Sequence, residues 1–290
     1  MSRTLQERVA VTGRPERPGA SLRDSVRTRF PFLTPIVRKW RRVACAIRDH
    51  SVRTGTLLEP GADGTPLSSL RIHGAHDGSP LAVRLHRAFT SAIGSDHRLP
   101  DAVYEIEGMS GRAFRTLLNE LMNAIEPARY LEIGSWRGST VIAALFGNGC
   151  RALCVDDWSQ FDGAKRDLVR TLRRFELDDR VEIAEADFRA VDYRAIGQFD
   201  VLFFDGPHAA KDHHDGILLT QPALRDEYVL LVDDWNWLPA RKGTLGALAA
   251  AGASILFAIE IRTTQDDRHT AHYGGDWHNG CFLAVVKKSG

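Results

Sequence analysis

The sequence predicts an α/β fold in which helices cover both faces of a mostly parallel sheet. From about residue 126, short apolar runs alternate with stretches of helical periodicity, and alternating strands and helices build parallel sheets. The chain has 290 residues, of which 43% are hydrophobic and 26% charged. This composition is typical of globular proteins, and the length suffices for a large core.

Each element follows from its own pattern. Before the alternating region, residues 81–93 and 111–125 carry apolar residues every three or four positions, which predicts two helices. Seven apolar runs then predict strands at 130–133, 152–155, 181–184, 201–204, 229–232, 254–259 and 282–286. Between these runs, helical spacing predicts four helices at 140–146, 162–175, 210–219 and 245–251.

The first 65 residues differ from the rest of the chain. Residues 1–55 contain 12 Arg and one Lys against four acidic residues, although the net charge of the whole chain is only +1. Four prolines between positions 15 and 35 interrupt any long helix there. We therefore predict a flexible, Arg-rich arm at 1–65, a helical segment at 66–125 and the main domain at 126–290. A folded subdomain at 1–65 is the alternative.

Composition also narrows the compartment and the partners. The four cysteines form no CxxC pair and no His-spaced cluster, so we expect neither a disulfide framework nor a zinc site and predict a cytoplasmic location. No run approaches the roughly 18 apolar residues of a membrane span. The basic arm could contact nucleic acid, but its aromatic residues are sparse, and a solvated tail is the simpler interpretation.

The loop after the first predicted strand indicates a ligand site, because ligands bind beyond the carboxyl ends of strands in open parallel sheets. It contains Glu132, Gly134, Ser135, Trp136 and Gly138 and opens a helix. Gly134 lets the backbone turn sharply and approach a ligand, and the free N–H groups of the helix favour an anion. The dinucleotide pattern G-x-G-x-x-G would need glycine at position 136, where tryptophan would crowd a pyrophosphate.

Acidic residues follow the next two strands. Asp156, Asp157 and Trp158 come about 20 residues after the glycine loop, where a carboxylate suits the two hydroxyls of a ribose. Asp187 and Phe188 follow the third strand, where a carboxylate can accept from an exocyclic amine and a ring can line an aromatic slot. A carboxylate at such a position could instead merely cap a helix. The three loops together are more specific than any one of them.

Together with F-D-V-L-F-F-D-G-P-H and V-L-L-V-D-D-W-N, these motifs resemble class I S-adenosylmethionine (SAM)-dependent methyltransferases over about residues 104–288. The resemblance implies a Rossmann-like, seven-stranded, mostly parallel sheet with an antiparallel last strand, preceded here by the basic extension. It also implies SAM in the cleft, with the methionine part near Gly134, the ribose on Asp156, the adenine near Asp187, and the 66–125 segment covering it. The implied cofactor-binding residues are Glu132, Gly134, Ser135, Gly138, Asp156, Asp157, Trp158, Asp187, Phe188 and Asp205.

The loop variant E-x-G-x-x-x-G-x-[ST] looks like catechol-type and antibiotic-tailoring sugar O-methyltransferases, which often use a divalent metal. The matching positions here are Asp205, after the fourth strand, and Asp233 and Asp234, after the fifth. Strands lie about 4.8 Å apart, so these carboxylates should converge, and they would repel one another unless Mg²⁺, Mn²⁺ or Ca²⁺ lies between them. Asn236 is a further candidate oxygen ligand.

Two observations leave the metal open. Consecutive strand residues point to opposite faces, so Asp233 and Asp234 can share a site only if the strand ends there. The alternative is that Asp205 and Asp233 hydrogen-bond backbone loops and that no metal binds.

His208 lies three residues after Asp205, where the catechol-type enzymes have a lysine that takes the hydroxyl proton. Histidine can do the same near neutral pH, although it could also merely cap the following helix. His213 and His214 come next on that helix and, with Asp212 and Asp215, could resemble a metal cluster. Because adjacent residues of a helix point about 100° apart, we expect one solvated face instead.

Aromatic residues near the last strands are harder to assign. Trp235 and Trp237 are expected at the cleft mouth, where either could stack on adenine or a substrate ring, although core packing would also explain Trp237. Trp277, His278 and Asn279 precede the last strand, where they could line the acceptor pocket, although a plain loop is the simpler interpretation.

The sequence thus predicts a SAM-dependent O-methyltransferase for a small hydroxylated metabolite, with His208 as the base and a divalent metal as an open question. The alternative is a noncatalytic protein that binds SAM, or that binds nucleic acid through the arm. Other chemistry on the same fold, such as a dehydrogenase, is disfavoured by Trp136. The acceptor and the oligomeric state, including a homo-oligomer, stay open.

Overall fold

Eight strands form one sheet in the part of the chain that the structure, a computed structural model, describes: residues 69–94, 98–160, 163–264, 266–270 and 276–289. The predicted arm at 1–65 lies outside this part. The strands are β1 (Ser69–Gly74), β2 (Arg129–Ile133), β3 (Arg151–Asp156), β4 (Val181–Glu185), β5 (Phe199–Phe204), β6 (Leu224–Val232), β7 (Ser254–Arg262) and β8 (Cys281–Lys287).

All six predicted helices are present. The helix predicted at 245–251 begins seven residues earlier, because its early proline, Pro239, is compatible with the first turn of a helix. Within the described residues, no helix is long and apolar enough to cross a membrane. The helices are α1 (Pro80–Ala92), α2 (Asp101–Tyr104), α3 (Arg112–Ile125), α4 (Ser139–Leu145), α5 (Ala164–Arg174), α6 (Ala210–Thr220) and α7 (Leu238–Ala250).

The strand order in the sheet is β1-β7-β8-β6-β5-β2-β3-β4. The pairs β4–β3, β3–β2, β2–β5 and β5–β6 are parallel. The last strand, β8, lies between β6 and β7 and is antiparallel to both, which confirms the predicted antiparallel last strand. The chain winds outward from β2 to β4 and then returns to β5, so the direction of winding reverses between β2 and β5.

An eighth strand, β1, corrects the prediction of seven strands and of a purely helical segment at 66–125. It pairs antiparallel with the edge of β7. Leu70 and Ile72 are buried, whereas Arg71 is exposed and His73 half-buried, so the strand does follow an alternating pattern. Two apolar residues are too few for the sequence alone to indicate a strand here; the alternation becomes evident only when β1 is seen paired with β7.

The core lies on both faces of the central strands. On one face, α3 packs against α1 and α4, and its predicted apolar positions, including Phe114, Leu117 and Leu121, are all buried. On the other face, α6 and α7 pack against each other. Because helices cover both faces, ligands have access to the central sheet at the strand ends, where the predicted site residues lie.

Candidate active site

A cleft opens at the carboxyl ends of β2, β3, β4 and β5, where the winding reverses. Four predicted site residues do not line it. Glu132 is fully buried in β2, and Gly138 packs against α5, where an added Cβ would lie 2.2 Å from Leu168. Asp233 and Asp234 lie behind Asp205 and His208. The predicted residues that do line the cleft are Gly134, Ser135, Asp156, Asp157, Trp158, Asp187, Phe188, Asp205 and His208.

The loop after β2 is built around Gly134, which has a φ of +86°. A Cβ at this position would lie 1.9 Å from the carbonyl oxygen of Asp205, so the ends of β2 and β5 approach each other more closely than any side chain permits. The N–H of Asp205 donates to the carbonyl of Ile133 at 2.9 Å and holds the two strand ends together. Glycine is therefore required here both by backbone conformation and by space.

Asp156 holds two loops of the cleft in place. Its Oδ2 accepts from the N–H of Trp136 at 2.8 Å, and its Oδ1 accepts from the N–H of Trp158 at 2.7 Å. The indole N–H of Trp158 donates to the carbonyl of Trp136 at 2.8 Å. Both tryptophans have left-handed backbones, with φ of +43° and +49°. Each carboxylate oxygen retains a second lone pair, so Asp156 can accept further hydrogen bonds from a ligand.

The remaining carboxylates of the cleft take part in local turns. Asp157 accepts from the N–H of Ser159 at 3.0 Å and from its hydroxyl at 2.8 Å, and these bonds hold its pKa below the usual value. Asp187 accepts from the N–H of Arg189 at 2.8 Å. Phe188 is buried against Phe204, with ring centroids 5.7 Å apart. Near the ends of β3 and β4, the cleft is therefore lined by the carboxylates of Asp157 and Asp187 and by the aromatic ring of Phe188.

A buried carboxylate lies at the base of the glycine loop. Glu132 Oε2 accepts from the Tyr130 hydroxyl at 2.5 Å, and the side chains of Thr140 and Ser135 also hydrogen-bond to this carboxylate. Burial raises the pKa of Glu132 to about 7, and the Tyr130 hydroxyl opposes that rise. Glu132 therefore anchors the base of the glycine loop from within the core and does not face the cleft.

A segment before the sheet borders the cleft through Met109 and Ser110. It is held by Arg115, a buried side chain of α3, whose guanidinium donates to the carbonyls of Val103, Tyr104 and Ile106 at 2.9–3.2 Å and to Ser110 Oγ at 2.9 Å. Burial lowers the pKa of Arg115 to about 10. Arg115 thus holds this segment through the segment's own backbone carbonyls, and not through an ion pair with a carboxylate.

Three carboxylates converge at the end of the cleft. One ligand oxygen from each of Asp205, Asp233 and Asp234 lies within 4.8 Å of the others. The strand β6 ends at Val232, and Asp234 has a left-handed φ of +58°. This turn explains how consecutive residues reach one site despite the alternation of side chains along a strand. The donor set, three carboxylate oxygens, fits Mg²⁺, Mn²⁺ or Ca²⁺.

The electrostatics of this carboxylate cluster are unfavourable without a cation. Burial, followed by repulsion from the neighbouring carboxylates, raises the pKa of Asp205 well above its usual range. Burial and repulsion from Asp234 do the same to the pKa of Asp233. Asp234 behaves differently: burial pushes its pKa up, but hydrogen bonds from His208 and Asn279 outweigh burial and hold the pKa below normal.

His208 lies beside the carboxylate cluster. Its Nε2 is 3.0 Å from Asp234 Oδ2, and its ring meets Trp237 edge-on with centroids 4.9 Å apart. The hydrogen bond to Asp234 raises the pKa of His208, and burial opposes that rise. The ring is half exposed and lines the cleft, so it can contact a molecule bound there, and it is Ala209, not His208, that precedes the first residue of α6.

Three expectations about neighbouring residues are wrong. Asn236 is fully buried, and its Oδ1 accepts from the N–H groups of Thr263 and Thr264 at 2.8 and 3.2 Å, so it is not a metal ligand. Trp235 is a core residue stacked on Phe282 at 4.3 Å, and only Trp237 lies near the site.

The third correction concerns the two histidines of α6. His213 is buried against Phe204, and burial lowers its pKa to about 4. His214 is half-buried, with its Nδ1 3.7 Å from a carboxylate oxygen of Asp215. The two residues therefore do not share one solvated face, because adjacent positions of a helix point in different directions.

Sequence reasoning missed Asn279, which it assigned to a plain loop. Asn279 is fully buried and donates through Nδ2 to Asp234 Oδ1 at 2.7 Å. A usable signal was present: the last strand was expected to be antiparallel, so its beginning lies beside the carboxyl ends of its parallel neighbours.

Part of the chain is similar to a known protein family. Residues 131–235 match a family described as a methyltransferase domain. No curated protein sequence matches the chain.

Several solved structures have a similar fold. The O-methyltransferase TomG from Streptomyces achromogenes is 18% identical, with 72% of this chain and 90% of TomG covered and a TM-score of 0.47. An O-methyltransferase from Bacillus cereus is 15% identical, with 87% of this chain and all of that chain covered and a TM-score of 0.45. TrmN from Thermus thermophilus is 15% identical, with 65% of this chain but only 52% of TrmN covered and a TM-score of 0.47. Likenesses of this size say nothing about the substrate of this chain.

Proposed function

We propose, from the premise that residues 131–235 form a methyltransferase domain of the class I type, that this chain transfers the methyl group of SAM to a hydroxyl of a small molecule. The observation that carries this proposal is the position of His208 and three converging carboxylates at one end of the cleft. A hydroxyl bound there meets both a proton acceptor and a set of cation ligands, which are the two devices that activate an oxygen nucleophile.

The residues of the cleft fit SAM in a specific way. When bound, SAM supplies an electrophilic methyl group. In this proposal Asp156 accepts from the ribose hydroxyls, because it is held in place by two backbone N–H groups and retains free lone pairs. Phe188 and Asp187 flank the adenine, and the loop of Gly134 and Ser135 receives the methionine part. Trp136 stands where the dinucleotide pattern G-x-G-x-x-G has its second glycine.

The acceptor hydroxyl would lose its proton to His208. The contact between His208 Nε2 and Asp234 Oδ2 favours the tautomer that carries its proton on Nε2, which leaves Nδ1 able to accept a proton. A cation held by the carboxylate cluster would lower the pKa of a hydroxyl bound to it and so assist this step. The chain's own contribution is to hold the hydroxyl and the base together at the end of the cleft.

Calorimetric titration of the full chain with S-adenosylhomocysteine (SAH) and with NAD⁺ tests the cofactor. We expect SAH to bind and NAD⁺ not to bind. Asp156→Asn should weaken SAH binding about tenfold or more, because an amide can no longer accept from both backbone and ribose donors. Asp192→Asn is the matched control, since Asp192 is exposed and makes a similar local turn bond to the N–H of Arg194. Binding of NAD⁺ without binding of SAH would contradict the proposal.

The cation is tested by removing one carboxylate of the cluster. Asp233→Asn should raise the melting temperature of the cation-free protein by about 2–4 °C, because it relieves repulsion that raises the pKa of both Asp205 and Asp233. The stabilisation that Mn²⁺ gives to the unsubstituted chain should be lost in this variant. Asp226→Asn, a change at an exposed position of β6, the strand that precedes Asp233, should alter neither property. An equal Mn²⁺ effect in both variants would remove the cation from the proposal and leave methyl transfer intact.

A further inference from the structure

Asn279 lies in a buried polar network next to the carboxylate cluster, just before β8 begins. Its Nδ2 donates to Asp234 Oδ1 at 2.7 Å. Its Oδ1 accepts from Asn236 Nδ2 at 2.9 Å and from the N–H of Thr270 at 3.1 Å. Both Asn279 and Asn236 are fully buried, so water cannot replace these hydrogen bonds.

Asn236 determines which way the amide of Asn279 points. The Oδ1 of Asn236 accepts from the N–H groups of Thr263 and Thr264, and its Nδ2 donates both to Thr263 Oγ1 at 2.8 Å and to Asn279. All the donors and acceptors of the Asn236 amide are therefore used. Because Asn236 presents a donor to Asn279, the oxygen of Asn279 must face Asn236, and its nitrogen must face Asp234.

This orientation matters because it places a donor, rather than an acceptor, against the carboxylate of Asp234. One of its carboxylate oxygens lies within 4.8 Å of a carboxylate oxygen of Asp205 and of Asp233, a separation at which like charges repel. Asn279 donates to Oδ1 of Asp234, and His208 Nε2 contacts Oδ2. Each oxygen of this carboxylate is thus held by a side chain that does not belong to the carboxylate cluster. The left-handed backbone of Asp234, with a φ of +58°, adds a conformational cost that these hydrogen bonds offset.

We infer that Asn279 is a positioning residue that sets the affinity of the carboxylate cluster for a divalent cation, and that Asn236 connects this setting to the loop after β7. The inference rests on the proposed cation site. Asn279 touches neither the cation nor the substrate; it acts through Asp234, as residues that orient metal ligands do. The same two amides also accept hydrogen bonds from the backbone N–H groups of Thr263, Thr264 and Thr270. The position of the loop after β7 is therefore linked to the orientation of the Asp234 carboxylate.

The test compares Asn279→Ser with Asn148→Ser in the full chain. Asn148 is a matched control because it is also buried and its Nδ2 donates to the carbonyls of Ala144 and Asn119. It precedes β3 and therefore lies at the amino ends of the parallel strands, away from the carboxylate cluster. Both variants should unfold at a lower temperature. Only Asn279→Ser should weaken Mn²⁺ binding, by about 10- to 100-fold, measured by calorimetry and by the electron paramagnetic resonance signal of free Mn²⁺.

The outcomes separate the inference from the proposed function. If the unsubstituted chain binds Mn²⁺ and Asn279→Ser binds it equally within twofold, the positioning role is overturned and the cation site stands. If the unsubstituted chain binds SAH but no Mn²⁺, the cation site and the positioning role fall together. Should Asn279→Ser not fold, Asn236→Ser decides, because it removes the amide that orients Asn279 and leaves Asp234 intact. Mn²⁺ affinity several-fold weaker supports the role, and unchanged affinity overturns it.

Discussion

Replacing His208 with glutamine should lower the rate of methyl transfer by about 100- to 10,000-fold, the usual contribution of a general base. Glutamine can still donate to Asp234, so the carboxylate cluster keeps its neighbour, but glutamine cannot take a proton from a hydroxyl at neutral pH. The His208 ring lines the cleft and is half exposed, as a group that meets a substrate must be. SAH binding should be unchanged, because the proposed cofactor contacts are made by other residues.

The rate is measured as transfer of a radiolabelled methyl group from SAM to the best acceptor from a panel of aryl diols and glycosides. His214→Gln is the control, since His214 lies on α6, does not line the cleft and has its Nδ1 3.7 Å from Asp215. A His208→Gln variant that retained more than a third of the rate would show that another group takes the proton, or that none needs to.

Replacing Gly134 with alanine should abolish SAH binding and lower the free energy of unfolding by about 3 kcal/mol or more. The added methyl group would lie 1.9 Å from the backbone oxygen of Asp205, and a φ of +86° is itself strained for alanine. Backbone cannot move aside as a flexible side chain can. The ends of β2 and β5 would have to separate, which displaces the glycine loop and Asp205 together.

Urea unfolding and calorimetry with SAH measure the two effects. Gly78→Ala is the matched control, because an added Cβ there meets no atom within 4 Å and should change neither property. A Gly134→Ala protein with unfolding free energy within about 0.5 kcal/mol of the original, and with undiminished SAH affinity, would contradict this account of the loop.

Much of the fold could be predicted because its signals are local. The apolar runs and the helical spacing of α3 depend only on residues a few positions apart, and all seven predicted strands and six predicted helices are present. The strand β1 could not be predicted, since its two buried side chains, Leu70 and Ile72, form a pattern only against β7. Likewise, a sequence does not show that Trp235 stacks on Phe282 while Trp237 reaches His208.

In the candidate site, too, some residues could be predicted from the sequence and others could not. Asp156, Asp187 and Asp205 could be found because each lies at the carboxyl end of a strand or within two residues of it, and parallel strands place these positions along one edge. Arg115 could not be assigned, because its partners, the carbonyls of 103–106, are defined only by the packed chain. For Asn279, the expected antiparallel strand indicated the right end of the sheet, but only the structure identifies Asp234 as its partner.

By itself the sequence determined the alternation of strands and helices, the class of domain and the acidic loops that follow the strands. Only the tertiary structure decided which of these residues meet. The antiparallel entry of β8 beside β6 brings Asn279 to Asp234, and the left-handed turn at Asp234 brings two consecutive carboxylates to one point. The physical reason is that periodicity is a property of neighbouring residues, whereas convergence depends on strand pairing and on a backbone angle that distant hydrogen bonds stabilise.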